Sequence, residues 1–240
     1  MKFRNKLIAV LMLFTSVFSI GAANAATLNA VFPMYKQANM KGLTGDLSSA
    51  GTVIRACLLD MDDLGTALTG ATNATPIVAT STSHGISNGD LFVITKVLGN
   101  TASNGIFRAA SVTTDTFALV DPVTGANVAG NGAYTSGGRV WKLSGVDFMN
   151  DIAAGAKICP GTPATLSSKA VSAEGYFSAA NTTLGSLTGD QAEGIILIEW
   201  NTSDADSRPF IIMTGASSGM PVTPNGGDIN ITWPTYIWKQ

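Results

Sequence analysis

Three aspartates that follow a predicted strand form the group of side chains in this 240-residue chain that could most readily do chemistry. Asp60, Asp62 and Asp63 could bind Ca²⁺, which takes about six to eight oxygen ligands. Two carboxylates with different pKa values could instead hydrolyse a glycosidic bond. The spacing lacks the following Gly and the distal Glu of an EF-hand loop. We therefore interpret the group as a solvated loop, with a Ca²⁺ site or a hydrolase as alternatives.

The only histidine, His84, lies in a Ser-His-Gly turn. A Ser-His-Asp site needs the imidazole beside a nucleophile and an acid, whereas a turn position favours a packing role. The glycine-rich run 215–219 lacks the Lys-Ser/Thr pair of a phosphate-binding loop. We therefore predict no catalytic residue, no cofactor, no small-molecule substrate and no enzyme activity.

Two cysteines, Cys57 and Cys159, lie on either side of the segment 71–143. In an oxidising compartment they could form a disulfide. Buried free thiols that pack as small apolar groups are the alternative. Two cysteines and one histidine do not supply the four ligands of a structural zinc site.

Residues 1–25 have the three parts of a secretory signal. Three basic residues begin the segment, an apolar run covers 7–20, and Ala23-Asn24-Ala25 supplies the small residues before a cleavage site. The apolar run is shorter than the roughly 20 residues that a membrane-spanning helix needs. We expect a cleavable leader and export, with a retained N-terminal helix as the alternative.

Low charge is the main feature of the composition. Charged residues make up 12% of the chain, against about 25% in an average domain, and hydrophobic residues make up 45%. After residue 25 the chain has 11 basic and 16 acidic side chains, and it has no basic run. We therefore do not expect the chain to bind nucleic acid electrostatically. It suits a turn-rich β protein whose surface is covered by neighbours in an assembly.

Short apolar runs bounded by Gly, Asn or Asp predict β-strands throughout. Between residues 71 and 143 these runs are closely spaced, which predicts an inserted β-barrel or small sandwich. The flanking segments, 26–70 and 144–240, would then form one discontinuous domain. We predict a mainly β fold, in which a β-sandwich-like outer domain is interrupted by the inserted barrel.

Aromatic residues near the C-terminus could contact a partner. Trp200 and Trp233 end predicted strands and are expected in the core. Tyr236 and Trp238 lie in the tail, and aromatic residues are enriched at protein interfaces. We predict that these two contribute to contacts between subunits.

The inserted segment resembles a small module named after the first catalytic cysteine half-domain of ubiquitin-activating enzymes, copies of which also occur in tailed-phage structural proteins. The segment has no cysteine, and the resemblance implies a decorating β module without activity. The matching residues are Pro76-Ile77-Val78, His84-Gly85, Gly89-Asp90, Asn104-Gly105 with Phe107, Thr116-Phe117 with Leu119, and Tyr134-Thr135-Ser136-Gly137-Gly138.

The outer domain resembles a family of tailed-phage virion proteins. The run from Gly219 to Asp228 is the most specific part of this resemblance. The other matching residues are Tyr35-Lys36, Gly51-Thr52-Val53, Leu58-Leu59-Asp60, Asp147-Phe148, Asp151-Ile152, Gly189-Asp190-Gln191-Ala192-Glu193 and Ser207-Arg208.

Together the two resemblances imply a non-enzymatic virion protein of a tailed phage or prophage. It would be a capsid decoration, a head fibre or a tail-associated protein, and its partners would be further copies of itself and other virion proteins. A secretory leader is not usual in such proteins. The alternative is therefore an exported binding module, either an adhesin at the bacterial surface or a periplasmic protein.

Overall fold

The structure, a computed structural model, describes residues 29–160, 164–215 and 219–239. Strands dominate it, and the prediction of a mainly β fold is confirmed. The predicted leader lies outside the described residues. Within the described ranges, no helix has the length and apolar character needed to cross a membrane.

The helices and strands follow in chain order. Short 3-10 helices cover Met61–Asp63, Thr101–Ser103, Met149–Asp151 and Ala154–Ala156. The other elements are β1 (Asn29–Val31), α1 (Pro33–Met40), β2 (Val53–Leu59), β3 (Thr66–Ala67), β4 (Gly70–Ala71), β5 (Val78–Thr80), β6 (Leu91–Leu98), β7 (Gly105–Ala110), β8 (Thr116–Val120), β9 (Ser136–Lys142), β10 (Lys157–Ile158), β11 (Ala164–Thr165), β12 (Ala170–Val171), β13 (Tyr176–Ser178), β14 (Thr182–Leu184), β15 (Gly194–Trp200), β16 (Arg208–Thr214), β17 (Ile229–Ile231) and β18 (Trp238–Lys239).

The main sheet of the outer domain has six antiparallel strands in the order β1-β16-β15-β2-β10, with β11 also pairing with β2. Central strand β15 contains the apolar run Ile195–Ile198, whose four residues are all buried. A strand covered on both faces needs apolar side chains at every position, and this run meets that requirement. Two small sheets, β12-β13-β18 and β14-β17, complete the outer domain.

Helix α1 packs on the main sheet through its buried face. Pro33 begins the helix at the first turn, where its missing N–H removes no intrahelical bond. Gly42 ends it in the left-handed conformation, and Leu43 N–H donates to the Ala38 carbonyl as in a Schellman cap. The ring of Tyr35 lies 5.3 Å from that of Phe210 on β16.

The inserted sheet, which we define as strands β3 to β9, has the order β3-β9-β6-β7-β8-β5-β4. Its two edge strands are consecutive in the chain. The segment 66–71 pairs with β9 at its start and with β5 at its end, so it brings the two edges of the sheet together. The sheet begins at Thr66, ahead of the predicted boundary at 71. Gly65 allows the chain to pass close to β9 just before β3, because a Cβ at this position would lie 1.8 Å from the Val140 carbonyl oxygen.

One face of the inserted sheet packs into the core of the outer domain, and the other face encloses a second core. On β6, Leu91 and Val93 join the outer core, whereas Phe92 and Ile94 join a second core inside the inserted sheet. This alternation follows from the two faces of a strand. On β9, Trp141 also joins the outer core, with its ring 6.1 Å from that of Phe32.

Candidate functional site

The three aspartates of the predicted acidic loop point to different partners. Asp60 is buried and accepts a hydrogen bond from the Asp62 backbone N–H at 2.9 Å, which caps the 3-10 helix. Asp62 pairs with Lys96, and Asp63 lies against Gly155. In the described part of the chain, no three His, Cys, Asp or Glu side chains are grouped so that they could hold a metal ion. The structure therefore does not bring the Ca²⁺ candidates together.

His84 has a packing role. Its Nδ1 accepts a hydrogen bond from the Ile86 backbone N–H at 3.0 Å, and its ring makes an edge contact with Phe117 at 4.8 Å. The imidazole is buried in the wall of the inserted sheet.

Cys57 and Cys159 form a disulfide, with their Cα atoms 4.8 Å apart. Cys57 lies on β2 and is fully buried, while Cys159 follows β10. The two residues are 102 positions apart, so the bond closes a loop that contains the whole inserted sheet. The disulfide therefore joins the two segments of the outer domain that flank the inserted sheet.

A cluster of opposite charges lies where the inserted sheet meets the outer domain. Lys96 Nζ on β6 lies 2.5 Å from Asp62 Oδ2 and 2.7 Å from Glu193 Oε1. We call these three residues the carboxylate–lysine cluster. Glu193 is buried, and its Oε2 accepts a hydrogen bond from the Met61 backbone N–H at 2.9 Å. Glu193 Oε1 is at ion-pair distance from Lys96 without the direction of a good hydrogen bond.

The backbone of Lys96 directs its side chain into this cluster. Lys96 has φ of 60°, a conformation that is uncommon for a residue other than glycine. Phe92 and Ile94 face the inner core, and so does Val97, so the alternation of β6 changes phase at Lys96. The lysine therefore faces the outer domain and not the apolar inner core, where regular alternation would have placed it.

Neighbouring residues hold Lys96 in this conformation. The Asn104 side chain accepts a hydrogen bond from Val97 N–H at 2.8 Å and donates one to the Val97 carbonyl at 2.9 Å. Gly137 approaches from β9, where a Cβ would lie 2.5 Å from the Lys96 carbonyl oxygen. Residues in sparsely populated conformations persist where the surroundings determine them, and they concentrate at functional sites.

The electrostatics of the cluster follow from burial and pairing. Burial raises the pKa of Glu193, although Lys96 and the Met61 N–H act in the opposite direction. For Lys96, burial alone would lower the pKa, but the carboxylates of Asp62 and Glu193 outweigh it and raise the pKa. An open cavity of about 300 Å³ adjoins the cluster, and Thr214 and Met220 are among the residues that line it.

No single signal in the sequence identified this cluster. Lys96 interrupts the apolar run of β6, and Glu193 precedes the apolar run of β15. Each is a charged residue beside a buried strand, and such a residue needs a partner. That requirement could have singled out both residues, but not their pairing.

The predicted interface aromatics lie in a groove between the outer domain and the inserted sheet. Tyr236 is 52% exposed, and its ring lies 4.4 Å from that of Tyr176. Trp238 is half-buried, because β18 pairs with β13 and the indole packs against the outer core. The groove has a volume of about 630 Å³, and Val123, 82% exposed, lines its other wall. We call it the aromatic groove.

The aromatic groove is positively charged within a net acidic chain. Lys36 and Arg108 line it, and no acidic residue is among its described lining residues. Arg108 also donates a hydrogen bond to the Gly89 carbonyl at 2.8 Å, which keeps the guanidinium at the rim. The groove therefore combines exposed apolar and aromatic side chains with two basic ones.

No family model matches the sequence, and no curated protein matches it. The resemblances to phage proteins thus depend on the residues quoted above.

Proposed function

We propose that this chain is a non-enzymatic structural protein of a tailed-phage or prophage virion, which acts by assembly and by surface presentation. Such a subunit could be a capsid decoration, a head fibre or a tail-associated protein. The observation that carries the proposal is the shared core. Because Leu91, Val93 and Trp141 of the inserted sheet pack into the outer domain, the inserted sheet is mounted rigidly. A rigid mount suits a module that must project at a defined angle from a particle.

Assembly would use the aromatic groove, with a second copy of this chain as its occupant. The groove exposes Val123 and Tyr236 beside the two basic residues Lys36 and Arg108. The chain as a whole has 14 basic and 16 acidic residues, so another copy carries a net negative charge of −2. Buried apolar area contributes roughly 25 cal/mol per Å² before the losses of association. Symmetric repetition on a particle would multiply such contacts.

A second candidate function is an exported binding module or adhesin. The Cys57–Cys159 disulfide supports it, since structural disulfides persist in oxidising compartments and are rare in the cytosol. The predicted leader at 1–25 points in the same direction. On this alternative the aromatic groove would bind a partner outside the cell.

Peptide mass spectrometry of density-purified particles from the host that encodes the chain distinguishes the two functions. We expect the protein in stoichiometric amounts relative to the major virion proteins. Its N-terminal peptide will begin at Met1 if the leader is retained and at Ala26 if it is removed. Absence from particles, with a chain that begins at Ala26 in the periplasm or medium, would establish the exported module instead.

Tyr236→Ala is expected to weaken self-association while leaving the fold intact. An aromatic residue at the centre of an interface can contribute about 2 kcal/mol to the free energy of association, so its loss should raise the dissociation constant roughly 30-fold. Sedimentation velocity over a concentration series measures this constant. Leu98→Ala is the matched control, because Leu98 is 57% exposed and does not line the groove. Equal effects of the two substitutions would contradict a role of the groove in assembly.

A further inference from the structure

We propose that the folded protein joins Lys96 to Asp62 through an amide bond between Nζ and Cγ, and that Glu193 carries a proton from the nitrogen to the leaving group. The product is an intramolecular isopeptide crosslink between the inserted sheet and the outer domain. The proposal does not depend on the virion function, because it concerns chemistry within one chain. It assigns the carboxylate–lysine cluster an activity that its role as an ion pair does not require.

The geometry places the reacting atoms next to each other. Lys96 Nζ lies 2.5 Å from Asp62 Oδ2, an oxygen bonded to the carboxyl carbon Cγ that Nζ would attack. Reacting groups held in contact by a fold have very high effective concentrations, about 10⁵ M or more in well-oriented cases. The fold holds both ends: Asp62 follows the cap formed by Asp60, and Lys96 is fixed by its left-handed backbone.

Glu193 places a second, buried carboxylate beside Lys96, which an ordinary ion pair lacks. Its side chain is 6% exposed, and Oε1 lies 2.7 Å from the same Nζ. The Met61 N–H holds the other oxygen, so the carboxyl group cannot rotate away. Burial raises the pKa of Glu193, which brings the carboxyl group closer to the balance between acid and base that proton transfer favours.

The reaction balances without any co-reactant. The ammonium of Lys96 and the carboxylate of Asp62 give one amide and one water molecule, and the net charge does not change. Lys96 first transfers one proton to Asp62, which gives a neutral amine and a neutral carboxylic acid; the raised pKa of Lys96 makes this step uphill. Nζ then attacks Cγ, Glu193 accepts a second proton from the nitrogen, and Glu193 delivers that proton to the hydroxyl group, which leaves as water. The Asp62 side chain is 49% exposed, so the water can escape into solvent.

Two other lysine–aspartate pairs provide comparisons within the same molecule. Lys142 lies 2.7 Å from Asp90, and Lys157 lies 2.5 Å from Asp204. In the described residues, neither of these lysines has a second carboxylate at ion-pair distance. We therefore expect both pairs to remain unlinked under conditions in which Lys96 and Asp62 react.

Intact mass spectrometry of the reduced, denatured full chain tests the proposal. The wild-type protein is expected to be lighter than its sequence by one water molecule. Tandem mass spectrometry should find a branched peptide that joins Lys96 to Asp62. Lys96→Arg keeps the charge but removes the nucleophilic amine, so this variant should retain the full mass. Asp62→Asn should lose ammonia in place of water.

Glu193→Gln separates catalysis from proximity. It preserves the shape of the side chain, and we expect crosslinking to slow by at least about 100-fold, as for loss of a general acid–base group. Circular dichroism verifies that each variant is folded. The proposal is overturned if folded wild-type protein keeps the full mass after prolonged incubation. A branched peptide at Glu193, Asp90 or Asp204 would overturn the assignment as well.

Discussion

Replacing Cys57 and Cys159 together by alanine is expected to lower the free energy of unfolding by about 3–5 kcal/mol. The two cysteines are 102 positions apart, and in the chain-entropy description a loop of about 100 residues is worth roughly 4.7 kcal/mol. The effect arises mainly in the unfolded chain, which regains freedom when the crosslink is absent. The inserted sheet lies within that loop, so its attachment depends on the same bond.

Urea denaturation of wild type and the double variant measures this loss. Wild-type protein in excess reductant is the matched control, because it loses the bond without the small cavity that alanine leaves beside the buried Cys57. Both samples should shift the unfolding midpoint by similar amounts. A loss below about 1 kcal/mol in both would mean that the disulfide does not contribute as the loop length predicts.

Trp141→Ala is expected to destabilise the protein by about 3–5 kcal/mol, as for other large aromatic residues removed from a core. Trp141 belongs to the inserted strand β9 but is buried in the outer core, where it contacts Phe32. The resulting cavity lies between the inserted sheet and the outer domain. Both should therefore unfold together at a lower denaturant concentration.

The informative measurement follows two probes in the same denaturation experiment. Fluorescence of the three remaining tryptophans, Trp200, Trp233 and Trp238, reports on the outer domain. Amide exchange on β7 and β8 reports on the inserted sheet. Phe92→Ala is the comparison, because Phe92 is buried only in the inner core of the inserted sheet. If the inserted sheet unfolds separately while the outer domain stays folded in Trp141→Ala, the shared core does not couple them.

Much of the fold could be predicted from local patterns. The unbroken apolar run Ile195–Ile198 is typical of a strand buried on both faces, and it belongs to the central strand of the main sheet. Ile229, Ile231 and Trp233 alternate with polar neighbours, and they are buried or partly buried while Asn230 and Thr232 are exposed. These features can be predicted because side chains in a strand alternate between its two faces. The burial of one or both faces therefore produces a local pattern of apolar residues in the sequence.

The candidate site depended on tertiary structure. Asp62 lies in a 3-10 helix, Lys96 in an inserted strand, and Glu193 just before β15. No local pattern in the sequence predicts that these three segments converge. The phase change at Lys96 even reverses the direction that regular alternation predicts for its side chain. The three clustered aspartates show the opposite case, since neighbours in sequence point to different partners.

The sequence by itself determined the mainly β class, the turns and the strands that must be buried, because each of these depends on neighbouring residues. Only the tertiary structure decided that the inserted sheet and the outer domain share a core, that Trp238 is half-buried while Tyr236 stays exposed, and that a lysine meets two carboxylates at their junction. These outcomes depend on distances between residues far apart in the chain, which are set when the sheets pack.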